Sequence, residues 1–490
     1  MSRGDHRPVE SFYHLADVSL DGQACQGAAC FVARYLNAGR WAAASSGAAR
    51  IYCLGKCYMA PAAAGDEARP RIECHAPQTI VLERLVNGGA VTLAAYTAGG
   101  GYAALEGALR QSPSEVLETV ERSELRGRGG AGFPTGKKWR AVATQSGPVR
   151  YVVANADEGD PGAYIDRFIL EEDPYCLIEA MTIAGFATGA GHGYIYLRKE
   201  YPRAHSVLTK ALDEARRAAL LGDRILRSSF SFDIEVVVGQ GSYVCGEETA
   251  LLNSIEGKRP EVRSRPPYPA EIGLFGRPTL VNNVETLASI PWILRHGAEA
   301  YRALGFSRSR GTKVVSLNSL FRRPGLYEVE FGVPVRHIVE ELGGGLASGA
   351  IRGVIIGGPL AGVLPPELFD TPFGFEELRA AGAAVGHGGV VAFDNHTSIL
   401  ELVHHVFRFA AYESCGKCTP CRVGSAVVER LLDARLRGGP LPASASAEFS
   451  GIVPALRQTS LCGHGMGLGE FTESVMQYYG KDVASWFASR

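Results

Sequence analysis

Three cysteines lie within seven residues in the stretch ESCGKCTPCRVGS, residues 413–425. Cys415, Cys418 and Cys421 have the spacing C-x2-C-x2-C, and Cys462 is the cysteine that follows them. Three thiolates on one loop with a fourth from elsewhere in the chain are typical of a [4Fe–4S] cluster. Zinc usually takes two separate C-x2-C pairs, so a four-cysteine zinc site is the weaker alternative.

A second set of four cysteines occurs near the N-terminus. Cys25 and Cys30 form a C-x4-C pair, and Cys53 and Cys57 form a C-x3-C pair. Two pairs on separate loops suit a [2Fe–2S] cluster, with one pair for each iron. Paired thiols also build zinc ribbons, so zinc stays open as an alternative at this set.

A glycine-rich stretch, RGRGGAGFPTGKKW, covers residues 126–139. Gly127, Gly129 and Gly132 satisfy G-x-G-x-x-G, but a predicted helix precedes the stretch and Pro134 follows, so we reject a Rossmann fingerprint. The glycines and flanking basic residues favour a cradle for a phosphate or for a flat ring approached by backbone. A flexible surface loop is the alternative.

Three further stretches place polar side chains at the ends of predicted strands or the starts of helices: NADEGDPG (155–162), GSYVCGEETALLNSIEG (241–257) and RPTLVNNVETL (277–287). Their polar residues exceed what the turns require, and asparagine amides before a helix suit a phosphate. Acids at a helix start also occur simply as complements to the helix dipole. The candidate ligand residues are Asn155, Asp157, Glu158, Asp160, Tyr243, Glu247, Glu248, Asn282 and Asn283.

Length and composition narrow the class of protein. The 490 residues suggest three or four domains, and the net charge of -1 gives no electrostatic case for nucleic acid or an anionic membrane. No secretory signal or membrane-spanning run is visible, which predicts a cytoplasmic protein. Eleven cysteines in a reducing compartment are then not expected to form disulfides.

The predicted secondary structure that must position these motifs differs between three parts of the chain. From about 104 to 300 strands and helices alternate, which predicts an α/β layer, beginning with a helix over SPSEVLETVERSEL capped by Ser112 or Ser114. Short strands with glycine turns follow to about 395, and the remainder is helical. Nearer the N-terminus, PQTIVLERLVNGG is predicted to be a helix and AYTAGGGYAAL a linker.

Taken together, these motifs resemble the flavin-binding, NADH-oxidising subunit of respiratory complex I. They equally resemble its relatives, the diaphorase subunits of NAD-dependent formate dehydrogenases and NAD-reducing hydrogenases. RGRGGAGFPTGKKW, NADEGDPG, YVCGEETALLNSIEG, GLFGRPTLVNNVETL and ESCGKCTPCR follow the family's order over roughly residues 105–480. The N-terminal C-x4-C and CLGKC-x2-AP resemble the thioredoxin-like [2Fe–2S] partner subunit of these complexes, here fused in front.

The resemblance implies an α/β multidomain fold with four domains. These are an abridged thioredoxin-like [2Fe–2S] domain over residues 1–98, an α/β domain that binds FMN and NADH over 99–305, a ubiquitin-like β-grasp domain over 306–396, and a helical [4Fe–4S]-binding domain over 397–490. Asp160 stands where complex I subunits carry Glu. The DEGD form therefore resembles the formate dehydrogenase and hydrogenase branches.

The resemblance also assigns the site residues. It implies that FMN lies among Gly127, Arg128, Gly129, Lys138, Asn155, Asp157, Glu158, Tyr243, Gly246, Glu247, Val281, Asn282 and Asn283. It implies that NADH binds near Phe133, Asp160, Glu248, Arg265 and Tyr268. We expect Lys138, Glu158 and Glu248 to act in catalysis: Lys138 as a fixed cation beside reduced flavin, and Glu248 with Glu247 as a barrier to the 2′-phosphate of NADPH.

The expected function is hydride exchange between NAD and FMN, with single electrons passed to or from the clusters. No molybdenum, tungsten or nickel motif is visible, so a larger catalytic subunit of a formate dehydrogenase or hydrogenase, and further Fe–S subunits, are the expected partners. The alternative within the enzyme class is the NADH-binding subunit of a respiratory NADH:quinone oxidoreductase. The alternative of another class is a zinc-stabilised interaction subunit with a degenerate flavin site.

Overall fold

The computed structural model describes residues 13–46 and 50–488. The strands, in chain order, are β1 (Arg71–Cys74), β2 (Tyr151–Ala156), β3 (His192–Arg198), β4 (Asp233–Gly239), β5 (Thr279–Asn283), β6 (Gly305–Phe306), β7 (Ser309–Arg310), β8 (Thr312–Leu317), β9 (Gly325–Glu330), β10 (Ile351–Ile356), β11 (Val363–Leu364) and β12 (Gly389–Asp394). They form a six-stranded, a four-stranded and a two-stranded sheet.

Helices surround these sheets. In chain order they are α1 (Ala28–Val32), α2 (Ala38–Ser46), α3 (Leu93–Ala98), α4 (Ala103–Leu109), α5 (Pro113–Arg122), α6 (Thr135–Ala143), α7 (Ile165–Glu172), α8 (Pro174–Thr188), α9 (Pro202–Arg217), α10 (Glu248–Ile255), α11 (Val284–His296), α12 (Ala298–Arg302), α13 (Phe375–Ala380), α14 (Ile399–Glu413), α15 (Ser425–Leu436), α16 (Ala445–Thr459), α17 (Gly463–Tyr478) and α18 (Gly480–Trp486). Within the described residues, no helix has the length and apolar character needed to span a membrane.

The four-stranded sheet is parallel throughout, with the strand order β4-β3-β2-β5. Its apolar partner is α8, in which every residue except Phe186 is buried, as expected of the long apolar run in the sequence. The predicted alternation of strands and helices over 104–300 is confirmed. Of the two predicted N-cap candidates for α5, Ser112 is the N-cap, and it forms a capping box with Glu115.

The six-stranded sheet is mixed, in the order β1-β9-β8-β12-β10-β11. The short strands predicted between 312 and 395 are β8, β9, β10 and β12, and these predictions are confirmed. Its edge strand β1 comes from the N-terminal segment and pairs in parallel with β9, from Arg71 opposite Gly325 to Cys74 opposite Glu328. The sheet therefore joins the first hundred residues to the middle of the chain.

The N-terminal segment differs from expectation in three ways. Among its described residues, β1 is the only strand, so this segment has no separate thioredoxin-like sheet of its own. The helix predicted over PQTIVLERLVNGG is wrong: these residues form turns and a single 3-10 turn, Leu85–Asn87. The linker predicted over AYTAGGGYAAL is also wrong, because its two halves belong to α3 and α4, and the glycines only join them.

The C-terminal region is helical, as predicted. α14 begins after Ser398, whose hydroxyl accepts the Glu401 N–H, and ends at Glu413, two residues before Cys415. A π-helical turn, Pro420–Gly424, leads from the cysteine loop into α15. Cys462 immediately precedes α17, so the distant fourth thiol of the sequence pattern lies at a helix start.

Candidate active site

The candidate site lies at the carboxyl ends of the parallel strands. β2 is followed in the chain by β3 and β4 on one side of it, whereas β5 lies on its other side, so the strand order reverses between β2 and β5. Ligands of open α/β sheets bind at such a switch point. Asn155 at the end of β2 lies opposite Asn283 at the end of β5, and these two predicted ligand residues therefore flank the switch point.

The glycine-rich loop closes on itself beside this edge. The Gly127 N–H donates to the Phe133 carbonyl at 2.9 Å, and the Thr135 N–H donates to the Leu125 carbonyl at 2.8 Å. A Cβ added to Gly129 would lie 2.9 Å from Asn283 Cβ, so the loop backbone can approach β5 only because this residue has no side chain. The loop and the strand end thus form two walls of one cleft.

Arg128, predicted to contact FMN, has its side chain turned into the protein. It is 1% exposed, and its guanidinium donates to the Tyr301 hydroxyl at 2.6 Å and to the Arg310 carbonyl at 2.8 Å. Its backbone N–H donates to the Thr286 hydroxyl at 2.8 Å. The side chain of Arg128 anchors the loop, and its backbone follows the cleft.

Lys138, on α6, is fixed at the same cleft. Its ammonium donates to Glu248 Oε2 at 2.9 Å and to the Val281 carbonyl at 3.0 Å. Arg265 lies on the other side of Glu248, 3.2 Å from Oε1. Burial alone would raise the pKa of Glu248, but the two cations outweigh burial and hold this pKa below its ordinary value. Four predicted site residues therefore form one contact group.

The acidic loop after β2 contains, at Asp157, a buried carboxyl oxygen without a hydrogen-bond partner in the described part of the chain. Asn155 Nδ2 donates to the Gly246 carbonyl at 2.8 Å, which links the loop to the turn before α10. Asp157 Oδ2 is buried and has no hydrogen-bond partner among the described residues. Burial raises the pKa of Asp157 well above its ordinary value. A ligand hydroxyl or N–H group would satisfy this oxygen, and the asparagine-rich, glycine-walled cleft fits FMN on that ground.

Glu158 lies deeper than its neighbours and is fully buried. Its carboxylate accepts the backbone N–H groups of Ile165, Asp166 and Arg167 at 2.6, 3.1 and 3.0 Å, which are the first N–H groups of α7. The Tyr201 hydroxyl also donates to it, at 3.0 Å. Burial and the nearby Asp166 raise the pKa of Glu158 to about 7. Its contacts within the protein are those of a helix cap.

Asp160 and Tyr243 are brought together, with the tyrosine hydroxyl 2.5 Å from Asp160 Oδ1. Burial, followed by Asp160, raises the pKa of Tyr243 well above its ordinary value, so the phenol stays protonated and donates. The Tyr243 N–H donates to Glu413 of α14 at 3.0 Å. This tyrosine therefore ties the acidic loop to the helical domain.

The remaining polar residues of the cleft act partly as caps. Glu247 Oε2 accepts the N–H groups of Thr249 and Ala250 at the start of α10, whereas Oε1 is buried without a hydrogen-bond partner among the described residues. Asn282 Oδ1 accepts the indole N–H of Trp139 at 2.9 Å. The Asn282 carboxamide nitrogen is thereby oriented away from the tryptophan.

Two of the predicted NADH-binding residues are large aromatic side chains on the surface. Phe133 is 52% exposed and Tyr268 is 53% exposed. Exposed aromatic rings are available to stack on a flat ligand, which is uncommon in side chains that serve only to pack a core. Phe133 belongs to the glycine loop, and Tyr268 follows Arg265 closely in the chain, so both belong to segments that border the cleft.

The C-terminal cysteines line one recess. The lining residues are Val244, Val262, Ser414, Cys415, Lys417, Cys418, Cys421, Leu461, Cys462 and His464. Burial raises the pKa of Cys462 to about 12, and it also raises the pKa values of Cys415 and Cys421. Apolar burial of thiols without a bound cation disfavours their thiolates, and a metal cluster would supply the compensating positive charge.

The spacing of these thiols distinguishes between metals. Four sulfurs on one zinc ion lie about 3.8 Å apart, since each Zn–S bond is about 2.3 Å. Among the described residues, no three cysteine sulfurs all lie within 4.8 Å of one another. The thiols as they stand are therefore farther apart than a single zinc ion requires, whereas in a [4Fe–4S] cluster each thiolate binds a different iron.

The N-terminal cysteines are arranged as two close pairs. The thiols of Cys25 and Cys30 lie next to each other, and so do those of Cys53 and Cys57. All four are buried. The neighbouring Cys57 thiol, followed by the cationic Arg198 and against the effect of burial, lowers the pKa of Cys53 to about 6.

Arg198 joins this pair of loops to the candidate flavin cleft. Its guanidinium donates to the Cys53 carbonyl at 2.8 Å and also to the Glu158 carbonyl. The Cys53 thiol lies 3.8 Å from the Asp160 carbonyl. The N-terminal cysteines thus lie directly against the acidic loop.

One turn of backbone separates the C-terminal cysteines from the candidate flavin cleft. The 3-10 turn Tyr243–Gly246 contributes Val244 to the cysteine recess, and its Gly246 carbonyl accepts from Asn155 in the cleft. A single four-residue turn therefore separates the two sites.

Sequence reasoning missed several residues that hold the site together. Asp166 accepts from Asn283 Nδ2 at 2.7 Å, and His387 lies 2.9 Å from the same Asp166 oxygen. Asp166 is an acid in the first turn of a helix that follows the DEGD loop, and that position could have drawn attention to it. His387 stands in a glycine turn of another domain, where nothing in the sequence pattern signals a link to the cleft.

Comparison with known proteins identifies the family. Residues 120–292 match the Nuo51 FMN-binding domain, and residues 401–485 match the iron–sulfur binding region of NADH-ubiquinone oxidoreductase-F. The F-type subunit of the NADH-quinone oxidoreductase of Aquifex aeolicus is 39% identical over 412 residues, which is 84% of this chain and 95% of that protein. The chain belongs to this family of NADH-quinone oxidoreductase flavoproteins.

Members of this family also occur in hydrogenases. The NADP-reducing hydrogenase subunit HndC of Solidesulfovibrio fructosivorans is 42% identical over 388 residues, 79% of each chain. A chain of an NAD+-reducing [NiFe]-hydrogenase in its H2-reduced state superposes with a TM-score of 0.84 at 30% identity, covering 100% of this chain and 88% of that one. The protein is thus an NADH-oxidising FMN subunit with a [4Fe–4S]-binding region.

Proposed function

We propose that the chain is the diaphorase subunit of a soluble cytoplasmic formate dehydrogenase or hydrogenase complex, in which it exchanges electrons between NAD(H) and a partner subunit that carries the second active site. One observation carries the assignment to this branch. The chain of the NAD+-reducing hydrogenase superposes over 100% of this one with a TM-score of 0.84, and this match includes the segment with the N-terminal cysteines. The Asp160 variant of the acidic loop agrees with the same branch.

FMN supplies the chemistry of accepting a hydride from a dihydronicotinamide and releasing its electrons one at a time. The cleft at the carboxyl ends of β2 and β5 would hold it. Asn155, Asn282 and Asn283 would orient its polar groups, and the buried Asp157 oxygen would accept from one of its donors. Glycines 127 and 129 would let the loop backbone approach it closely.

Lys138 would place a fixed positive charge at this site. Because the Val281 carbonyl and Glu248 hold its ammonium, the charge does not have to reorganise when negative charge develops nearby. Phe133 and Tyr268 would receive the nicotinamide nucleotide at the open side, with Arg265 and Glu248 beside them. Glu158, which caps α7, would shape the acidic loop from behind, and Tyr243 would hold Asp160.

The cysteine geometry supports one cluster on each side of the cleft. Cys415, Cys418, Cys421 and Cys462 would bind the [4Fe–4S] cluster. Two close thiol pairs without a third sulfur within 4.8 Å are what a [2Fe–2S] cluster requires, because each pair binds its own iron. We therefore assign that cluster to Cys25, Cys30, Cys53 and Cys57.

The nucleotide preference is part of the proposal. HndC is named as an NADP-reducing hydrogenase subunit, whereas the superposed hydrogenase is named as NAD+-reducing, so the two relatives differ in the nucleotide they are named for. In this chain two carboxylates, Glu247 and Glu248, stand at the start of α10, and like charge disfavours the 2′-phosphate of NADPH. We therefore propose NAD(H) as the physiological nucleotide.

The test is to purify the chain anaerobically from its native host with its partners attached. Formate- or H2-dependent reduction of NAD+, with molybdenum, tungsten or nickel in the copurifying subunits, is the expected result. NADH-dependent quinone reduction by the purified assembly would instead place the chain in a respiratory complex. A colourless protein that contains zinc but no flavin or acid-labile sulfide would contradict the enzymatic assignment altogether.

A further inference from the structure

A loop of the β-grasp domain, residues 385–389, reaches the rear of the flavin cleft although it belongs to none of the sequence motifs. Gly386 forms an isolated β-bridge with Gly130 of the glycine-rich loop. A Cβ on Gly386 would lie 1.7 Å from the Gly357 carbonyl oxygen, and the residue has a φ of +51°, so only glycine fits this turn. The turn fixes the next residue, His387, whose side chain is buried.

His387 is connected to a flavin-site residue through one carboxylate. Its Nε2 lies 2.9 Å from Asp166 Oδ2, and Asn283 Nδ2 donates to that same oxygen at 2.7 Å. The other Asp166 oxygen accepts the Glu285 N–H at 3.2 Å. Histidine, aspartate and asparagine thus form a continuous chain from the β-grasp domain to the end of β5.

This chain fixes the orientation of the Asn283 amide. Its Oδ1 accepts the Thr286 N–H at 3.1 Å, as the cap of α11, while one of its two N–H groups is taken by Asp166. The second N–H is left for a ligand. Without the negative charge of Asp166 held in place, the amide could turn and present the wrong atom to the cleft.

The same cluster could be taken for a metal site, because ligand atoms of Glu158, Asp166 and His387 lie within 4.8 Å of one another. Their lone pairs are already used. Glu158 accepts three backbone N–H groups and the Tyr201 hydroxyl, and Asp166 accepts from Asn283, Glu285 and His387. Burial would lower the pKa of His387, but Asp166 and Glu158 raise it to about 9, so the ring is a protonated donor. The cluster is an ion-pair network and not a cation site.

We propose that His387 is a positioning residue for flavin binding, acting through Asp166 on the amide of Asn283. The β-grasp domain thereby sets how tightly the cleft holds FMN and how easily the bound flavin is reduced. The inference rests on the proposed function, since it takes Asn283 as part of the FMN site. The groups that face His387 are Asp166, Glu158 and Asp160, while the Lys313 ammonium donates to its backbone carbonyl at 3.1 Å.

The experiment compares His387→Ala, His387→Gln and Asp166→Asn in the full chain, reconstituted with iron and FMN. His337→Gln is the matched control, because the His337 ring lies 2.9 Å from Glu341 Oε2 on the exposed side of the same region. FMN affinity is measured by flavin fluorescence, and the flavin midpoint potential by spectroelectrochemical titration. We expect about tenfold weaker FMN binding in His387→Ala, and recovery of most of it in His387→Gln, whose amide can still donate to Asp166.

The flavin midpoint potential shows whether His387 positions the flavin-site residues or only stabilises the fold. His387→Gln removes the positive charge of the imidazolium and leaves the negative charge of Asp166 uncompensated. The midpoint potential of the flavin should therefore fall even though FMN binding recovers. Asp166→Asn removes the negative charge instead and should raise it. Unchanged affinity and potential in the variants would overturn the inference. Failure of the unaltered chain to bind FMN would count against the proposed function instead, and if His387→Ala does not fold, the glutamine and asparagine variants decide.

Discussion

The Lys138 ammonium lies 2.9 Å from the Glu248 carboxylate, and Arg265 lies 3.2 Å from the other oxygen of the same carboxylate. One negative charge is thus held between two positive charges at the opening of the flavin cleft. Glu248 does not act there as an isolated acid. Its removal would leave two cations facing the position that we propose for the nucleotide.

Replacement of Glu248 by glutamine should therefore change nucleotide preference. Glu248→Gln keeps the size of the side chain but frees Lys138 and Arg265 to pair with a 2′-phosphate. We expect the NADPH/NADH ratio of kcat/KM, measured with ferricyanide as acceptor, to rise about tenfold. Glu235→Gln removes an exposed carboxylate on β4 and is the charge-matched control. An unaltered ratio in Glu248→Gln would contradict the role of this charge.

The close approach of the glycine loop to β5 gives a second prediction. A Cβ at Gly129 would lie 2.9 Å from Asn283 Cβ and 3.3 Å from its Cγ, so Gly129→Ala must displace the asparagine or the loop. We expect FMN affinity to fall at least tenfold while the chain stays folded. Gly107→Ala in α4 is the control, because a Cβ there has nothing within 4 Å. Equal flavin content in both variants would show that this contact does not shape the site.

The two cysteine sets can be separated by counting iron. Cys462→Ser should remove about four irons and four sulfides per chain, whereas Cys57→Ser should remove about two of each and leave the [4Fe–4S] signal in the electron paramagnetic resonance spectrum. Cys74→Ser, at a half-buried cysteine outside both sets, is the control. Loss of zinc, and not of iron, from either variant would favour the alternative metal.

The family resemblance of the motifs, and not their spacing alone, predicted which segments meet at the candidate cleft. Three of the motifs, NADEGDPG, GSYVCGEETALLNSIEG and RPTLVNNVETL, lie at the ends of β2, β4 and β5, and the carboxyl ends of parallel strands share one edge. The glycine-rich motif follows the helix α5, so this reason does not apply to it. Local chemistry also determined the start of α5, where Ser112 and Glu115 satisfy each other's N–H groups without help from distant residues.

The failures occur where distant side chains override local preference. In PQTIVLERLVNGG, Glu328 on β9 accepts the N–H groups of Ile80, Val81 and Leu82, so a side chain 246 or more residues away fixes this segment against the six-stranded sheet. The predicted linker is helical because Glu179 accepts the N–H groups of Tyr102 and Leu105 at the start of α4.

His387 and Asp166 could not be predicted as positioning residues from the sequence, because their contact also joins distant parts of the chain. His387 and Asp166 are separated by 221 residues, and their contact depends on how the turn before β12 packs against the start of α7. A single sequence carries no periodicity or spacing that reports such a contact. Only Asp166 could have been suspected, from its place in the first turn after the acidic loop.

The raised pKa of His387 predicts a specific loss of stability at alkaline pH. Its folded-state pKa of about 9 exceeds the ordinary histidine value, so the protonated ring stabilises the fold fully below about pH 6.5, and this contribution is lost as pH rises through 9. Glu158, with a pKa of about 7, has completed most of its titration by pH 7.5. Between pH 7.5 and 9.5 the stability of the fold should therefore fall by up to about 1.4 kcal/mol per pH unit from this one group.

Thermal melting of the reconstituted chain across that window checks the prediction. The melting temperature of the unaltered protein should decrease with rising pH, and His387→Gln should show a flatter profile, because glutamine has no proton to lose. His337→Gln should retain the slope of the unaltered protein, since that histidine is outside the buried network. Parallel profiles for His387→Gln and the unaltered chain would mean that the ring is not protonated in the folded state, and that Asp166 is held by a neutral donor.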